Sequence, residues 1–199
     1  MEDHKNLTKE FYNRNAHRYV EKHTALFAQQ KKEVEQFLKL LNGKRILDLG
    51  CGPGEHALHF KQLGYDVKAI DYSEKMVEIA RKKDVDVELM DIEEMSFPEE
   101  SFDGIWSDTS LLHIKKSDLP AVVKKLHDIL AKDGILYISI FEGRGERYIV
   151  DGGLEEKRYF AFWEKSEITN LFLKYFTLEH FFGVSVKEKH FLEFFFKKK

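Results

Sequence analysis

Short apolar runs alternate with amphipathic segments from residue 46 to residue 141, and that alternation leaves few architectures open. Ile46, Leu47, Asp48 and Leu49 form a run bounded by charges and glycines, as in a parallel strand buried on both faces. Four more such runs follow at 66–71, 85–91, 102–107 and 135–141. Between them, Ala57, Leu58, Lys61 and Leu63 mark a helix closed by Gly64. Met76, Val77, Ile79 and Ala80 form the face of a second, with Ser73 as its cap. Leu119, Val122, Val123, Leu126, Ile129 and Leu130 form the face of a third, capped by Ser117, with Pro120 tolerated in the first turn. This order predicts an α/β fold built on a parallel sheet.

The flanks differ. Leu7, Phe11, Tyr12, Tyr19 and Val20 mark a polar helix over 6–22, and Val34, Phe37, Leu38 and Leu41 a stronger one ended by Asn42-Gly43. Residues 142–165 read as irregular. A short helix over 166–173 precedes two strands, 175–182 and 190–196, which must pair antiparallel because only a short polar turn joins them. One domain is expected: a helical cap (1–42), a core (43–141), a substrate loop (142–165) and a helix with a strand pair (166–199).

At 199 residues one sizeable core forms without staples. Apolar residues make up 43% and charged residues 34%, and no run approaches the roughly 20 apolar residues that cross a bilayer. No apolar stretch follows the first residues as in a secretory signal. Cys51 is the single cysteine, so neither an internal disulfide nor a cysteine-based zinc site forms, and a reducing compartment, the cytoplasm, is expected. A net charge of −3 supplies no basic excess for a phosphate backbone, which argues against a nucleic-acid partner. His56 and His59 share a helix face beside Glu55 but lack further ligands, so no metal is expected.

The first strand runs into Gly50-Cys51-Gly52-Pro53-Gly54, directly before a helix. Glycines there bring a ligand against bare backbone, at the carboxyl end of the strands where open α/β sheets bind nucleotide-type cofactors. Read from Gly50, the dinucleotide fingerprint fails at Glu55, and the G-K-[ST] of a phosphate loop is absent. This counts against a nicotinamide oxidoreductase. Asp48, two residues ahead of the first glycine, suits a cationic group instead.

The run 46–54 resembles motif I of the class I S-adenosylmethionine-dependent methyltransferases. Phe102-Asp103-Gly104-Ile105-Trp106-Ser107 resembles the family's fourth strand, and 126–136 its helix–turn–fifth-strand block. The resemblance implies a Rossmann-like fold with a mostly parallel seven-stranded sheet, an antiparallel last strand and helices on both faces. It implies S-adenosyl-L-methionine as cofactor. Gly50, Cys51, Gly52 and Gly54 would form the cofactor loop beside Asp48. Asp71 would take the ribose hydroxyls, with Tyr72 beside the adenine and Met76 also at the cofactor. Asp91 would meet the adenine amino group and the backbone of Ile92 its ring, with Ser107 at the end of strand four. Phe11 to Tyr19 resembles the helix that covers the cofactor in small-molecule members, with Tyr12, Tyr19 and Arg18 near it.

A methyl transfer to an O, N or S atom of a small molecule is therefore expected. The sulfonium carries most of the chemistry, and the protein aligns the partners and excludes water. Where a base is needed, His113 is the first candidate, with Tyr12, Tyr19 and Tyr159 after it. Cys51 is read as a loop residue and not as a nucleophile. The segment 144–163, with Arg144, Arg147, Arg158 and several aromatics, is the expected acceptor-recognition element. Action on RNA or protein, or cofactor binding without catalysis, remains open. No Asp/Asn-Pro-Pro-aromatic signature follows the fourth strand, where Ser107-Asp108-Thr109-Ser110 stands. A monomer or homodimer is expected.

Overall fold

The computed structural model describes residues 4–27, 30–150, 156–186 and 188–199. The expected alternation is present: β1 (Arg45–Leu49), α4 (Glu55–Gln62), β2 (Asp66–Asp71), α5 (Glu74–Lys82), β3 (Val87–Leu89), β4 (Phe102–Asp108), α6 (Leu119–Ile129) and β5 (Leu130–Phe141). These five strands are parallel. After α7 (Lys165–Phe172), the strands β8 (Phe176–Val186) and β9 (Lys189–Lys198) complete a seven-stranded sheet of order β3-β2-β1-β4-β5-β9-β8. β9 runs antiparallel to both of its neighbours. The chain winds outward from β1 to β3 and then returns to place β4 against β1. A crevice opens at such a reversal, at the carboxyl ends of the strands.

Side chains alternate between the two faces of the sheet. Ile46, Trp106, Tyr137 and Phe195 face a cluster with Phe37 of α3 (Lys31–Leu40) and Phe60 of α4, and the Trp106 and Tyr137 rings stack with centroids 3.9 Å apart. Leu47, Ile105, Leu136 and Phe194 face the larger cluster built with α6 and α7. Both faces are thus covered, which is why the strands read as near-continuous apolar runs.

Several local expectations are corrected. The helix expected over 6–22 is two, α1 (His4–Arg14) and α2 (Ala16–Phe27). Asn15 stands at the break, its side-chain amide donating to the Phe11 carbonyl at 2.9 Å, a local bond of the kind that competes with helix continuation. Ser117 does not cap α6: Asp118 holds the cap position, and Ser117 Oγ donates instead to the Asp118 carboxylate at 2.9 Å. Val85 precedes β3, buried against Ala57 and Ala80. β5 begins at Leu130, which pairs with Phe102 across a register shift.

The largest correction concerns 142–165. Instead of irregular chain it holds two antiparallel strands, β6 (Glu146–Val150) and β7 (Lys157–Ala161), with Tyr148 opposite Tyr159. Residues 151–155 lie outside the described residues. β7 packs against α1, so this ribbon and the N-terminal helix close one side of the crevice. Among the described residues no helix is long and apolar enough to cross a membrane.

Candidate functional site

The crevice at the β1–β4 reversal contains a cavity. One wall is the backbone of Gly50 and Gly52 with Asp71, Tyr72 and Met76; Asp91 and Ile92 form its far end. Gly50 adopts φ +72°, and its N–H and that of Cys51 donate to the Ile70 carbonyl at 2.9 and 3.0 Å. A Cβ at Gly50 would lie 2.4 Å from Cβ of Ser110, so the loop passes where only glycine fits.

Asp71 ends β2 and is held by the loop itself. Its two oxygens accept from the N–H groups of Gly52 and Ser73, each at 2.8 Å. Burial pushes its carboxyl up to about 6, against the opposing pull of these N–H groups. Ser73 caps α5 as expected, accepting from the Met76 N–H at 3.2 Å, and donates to Asn13 of α1 at 2.7 Å. Asp91 accepts from the Glu93 N–H at 2.9 Å and from Lys5 Nζ at 2.7 Å. The cap helix α1 is therefore fastened to the loops that follow β2 and β3.

Tyr12, Tyr19, Asp108, Ser110 and His113 line the other side. The rings of Tyr12 and Tyr19 meet edge to face at 5.0 Å. Burial, and then the neighbouring Tyr12, raise the Tyr19 phenol well above its ordinary value. His113 lies in a 3₁₀ turn, Leu111–His113, that follows β4. Its Nδ1 lies 2.7 Å from the Tyr159 carbonyl and its Nε2 lies 2.8 Å from the Tyr12 hydroxyl. Burial and the Arg158 guanidinium push the imidazole down to about 3, so it is neutral.

Other expected residues lie behind the wall. Asp48 is buried beneath the loop, accepts from the Ala57 N–H, and has no hydrogen-bond partner for Oδ2 among the described residues. Burial, and then Asp108, push its carboxyl up to about 8. Cys51 is buried with its thiol 3.5 Å from the Gly52 carbonyl, and burial pushes that thiol up, as an inert loop residue requires. Gly54 opens α4 at φ +79° and faces Ala80, so it serves the packing of α4 on α5. Ser107 is fully buried and its Oγ is 2.7 Å from Ser110 Oγ, a residue of the wall.

Two expected residues are not brought to the cavity. Arg18 is exposed on α2. The Tyr159 hydroxyl is turned away to Glu146 of β6, and only its carbonyl reaches the site, through His113. His56 is buried against Trp106, and no group of three or more metal-ligating side chains occurs among the described residues. Sequence reasoning missed Lys5 and Asp108. Asp108 ends β4 as Asp71 ends β2, and that parallel was the available signal; nothing local marks Lys5.

Residues 46–134 match the profile of the family described as a methyltransferase domain. Over that span, a little under half of its length, the chain is similar to a methyltransferase domain. Among curated members it is 32% identical over 131 residues to a malonyl-[acyl-carrier protein] O-methyltransferase of Erwinia pyrifoliae, covering 64% of this chain and 49% of that protein. It is 34% identical over 116 residues to a phosphoethanolamine N-methyltransferase of Triticum aestivum, covering 54% of this chain and 22% of that protein. The chain thus spans about half or less of the length of these relatives. Of solved methyltransferase folds, the magnesium protoporphyrin IX methyltransferase of Synechocystis, crystallised with S-adenosylmethionine, superposes with a TM-score of 0.77 over 100% of this chain and 99% of that one, at 17% identity.

Proposed function

We propose that this chain binds S-adenosyl-L-methionine and transfers its methyl group to an O, N or S atom of a small-molecule acceptor. One observation carries the reading: two carboxylates, Asp71 at the end of β2 and Asp91 just past β3, share one cavity with the bare backbone of Gly50 and Gly52. That donor and acceptor set fits a nucleoside whose hydroxyls and amino group need acceptors while its chain lies against backbone. Asp71 would hold the ribose, Tyr72, Met76 and Ile92 the adenine faces, and Asp91 the amino group. Asp48, beneath the glycine loop, has a buried Oδ2 without a partner among the described residues and would serve the amino-acid end only once a cationic group reaching it draws off its proton. A sulfonium methyl group supplies the electrophile, so no nucleophile or metal is required of the protein.

What remains for this chain's residues is to exclude water and orient the acceptor. α1 roofs the cavity, with Lys5 on Asp91 and Asn13 on Ser73. The small-molecule reading is supported by the named relatives and by the closed, aromatic acceptor side around Tyr12, Tyr19 and His113. Residues 142–165 supply part of that side, through Arg158 and the Tyr159 carbonyl. The single cysteine supports a reducing, cytoplasmic setting.

The test is calorimetric titration with S-adenosylmethionine, S-adenosylhomocysteine and NAD, with Asp71→Ala alongside. Micromolar binding of the first two, none of NAD, and at least tenfold weaker binding by the variant are expected. A folded protein that binds neither sulfur compound refutes the reading.

A further inference from the structure

Three side chains from distant parts of the chain meet on the acceptor side of the cavity, and their chemistry fixes every proton between them. The Tyr159 carbonyl can only accept, so the His113 Nδ1, 2.7 Å away, carries the ring proton. In the neutral imidazole Nε2 is then an acceptor, so the Tyr12 hydroxyl 2.8 Å away donates to it. A guanidinium can only donate, so Arg158 Nη1 gives its hydrogen to the Tyr12 oxygen, also at 2.8 Å. Arg158 is itself buried, with its guanidinium over the rings of Phe11 at 4.3 Å, Phe160 at 5.0 Å and Tyr12 at 5.3 Å. Burial in that aromatic cage keeps the cation in place.

The Tyr12 oxygen has spent its one proton on His113 and one lone pair on Arg158. One acceptor position is left, on a residue that lines the cavity. We propose that Tyr12 presents this lone pair to the methyl acceptor and selects one with a hydrogen on its reacting atom, a hydroxyl or amine and not a carboxylate or thiolate. Tyr12 is the contacting group. His113 and Arg158 are positioning residues that keep its hydroxyl from turning into a donor. A hydrogen bond from the acceptor's O–H or N–H to Tyr12 leaves the acceptor's own lone pair free to face the methyl carbon. As the acceptor atom bonds the methyl carbon and the C–S electron pair leaves with S-adenosylhomocysteine, the acceptor's proton passes to the Tyr12 oxygen and Tyr12's own proton to His113 Nε2, so His113 takes the proton only through Tyr12.

This inference rests on the proposed methyl transfer, and its test separates the two. Histidine ring ¹⁵N spectra need no acceptor. They should show His113 as the neutral Nδ1–H tautomer, unchanged from pH 8 to pH 5. An Nε2–H tautomer or an imidazolium at pH 7 overturns the proton assignment. In Arg158→Met the ring's protonation should move to higher pH than in the parent, short of its ordinary value because burial remains, and Arg158→Lys should move it back. Release of S-adenosylhomocysteine is then followed with a phenol, a primary alcohol, a primary amine, a carboxylate and a thiol. Turnover should be confined to the first three. Tyr12→Phe should lower kcat about 10- to 100-fold while leaving S-adenosylhomocysteine affinity within about twofold. A carboxylate or thiol as the preferred acceptor, or an undiminished kcat in Tyr12→Phe, overturns the selection. Should no compound of the panel turn over, the tautomer decides alone. Failure to bind S-adenosylhomocysteine refutes the methyltransferase reading and leaves the tautomer result standing.

Discussion

Replacing Glu193 by Gln should stabilise the protein, and increasingly so as pH rises. Glu193 lies in β9 opposite Ser139 of β5, which in turn lies opposite Asp108 of β4. The three form a polar row across one face of the sheet, next to the aromatic row of Trp106, Tyr137 and Phe195. Glu193 is only 4% exposed, and Glu33 of α3, also buried, adjoins it. Burial first, then the charges of Glu33 and Asp108, push the Glu193 carboxyl up to about 8, with Tyr137 pulling weakly the other way. Against an ordinary value of 4.5, the rise amounts to at most about 5 kcal/mol. The folded state binds this proton more tightly than the unfolded chain. Its contribution is therefore full below pH 4.5 and is lost as pH rises toward 8.

Gln mimics the protonated form at every pH, and its amide can donate to Glu33. The neighbouring acids share the unfavourable field, so one substitution recovers only part of it, about 1–3 kcal/mol at pH 8.5. For a chain of this length that corresponds to a rise in Tm of about 3–10 °C. Thermal melts of both proteins at pH 5 and pH 8.5 measure it. Near-coincident melts at pH 5 and a clear gain at pH 8.5 are expected. A variant that melts lower at pH 8.5, or by a margin independent of pH, would show that Glu193 is ionised and compensated.

Three further outcomes are expected. Cofactor affinity should fall as pH drops through about 6, where Asp71 gains its proton and stops accepting, and calorimetry between pH 5 and 8 would follow it. Affinity that stays flat across that range contradicts a role for the Asp71 carboxylate. Gly50→Ala sets a Cβ 2.4 Å from that of Ser110 at φ +72°, so it should cost about 2–4 kcal/mol in denaturant unfolding. A loss under 1 kcal/mol would mean that the loop yields easily. Lys5→Met frees Asp91 from its largely buried ion pair and should tighten S-adenosylhomocysteine binding about 2- to 5-fold at low salt. Weaker binding instead would make Lys5 a contributor to the site.

The cofactor side was legible because its parts are local. Gly50 directly follows β1, Asp71 ends β2 and Asp91 lies two residues past β3, and an α/β alternation alone brings such positions to one edge. The acceptor side was not, because it is assembled from afar. Tyr12 meets His113 across 101 positions and Arg158 across 146. No periodicity in the sequence encodes that meeting. β6 and β7 were hidden by glycines and charges on either side, although Tyr148-Ile149-Val150 and Tyr159-Phe160 carry strand composition. The polar row was equally invisible. Only the register of β9 places Glu193 beside Ser139 within a run of phenylalanines.

The roof helix α1 has a consequence for the order in which the molecule is completed. As an isolated segment of 11 residues it is too short and polar to hold its shape. Its partners, Ser73, Asp91, His113 and Arg158, emerge progressively later during synthesis, the last after three quarters of the chain. Helix α1, made before these partners, should therefore be among the last elements of this domain to settle. Its amides should exchange with solvent sooner than those of the central strands β1 and β4. Docking of α1 finishes the cavity, so the site is complete only once this helix has found its late-made partners.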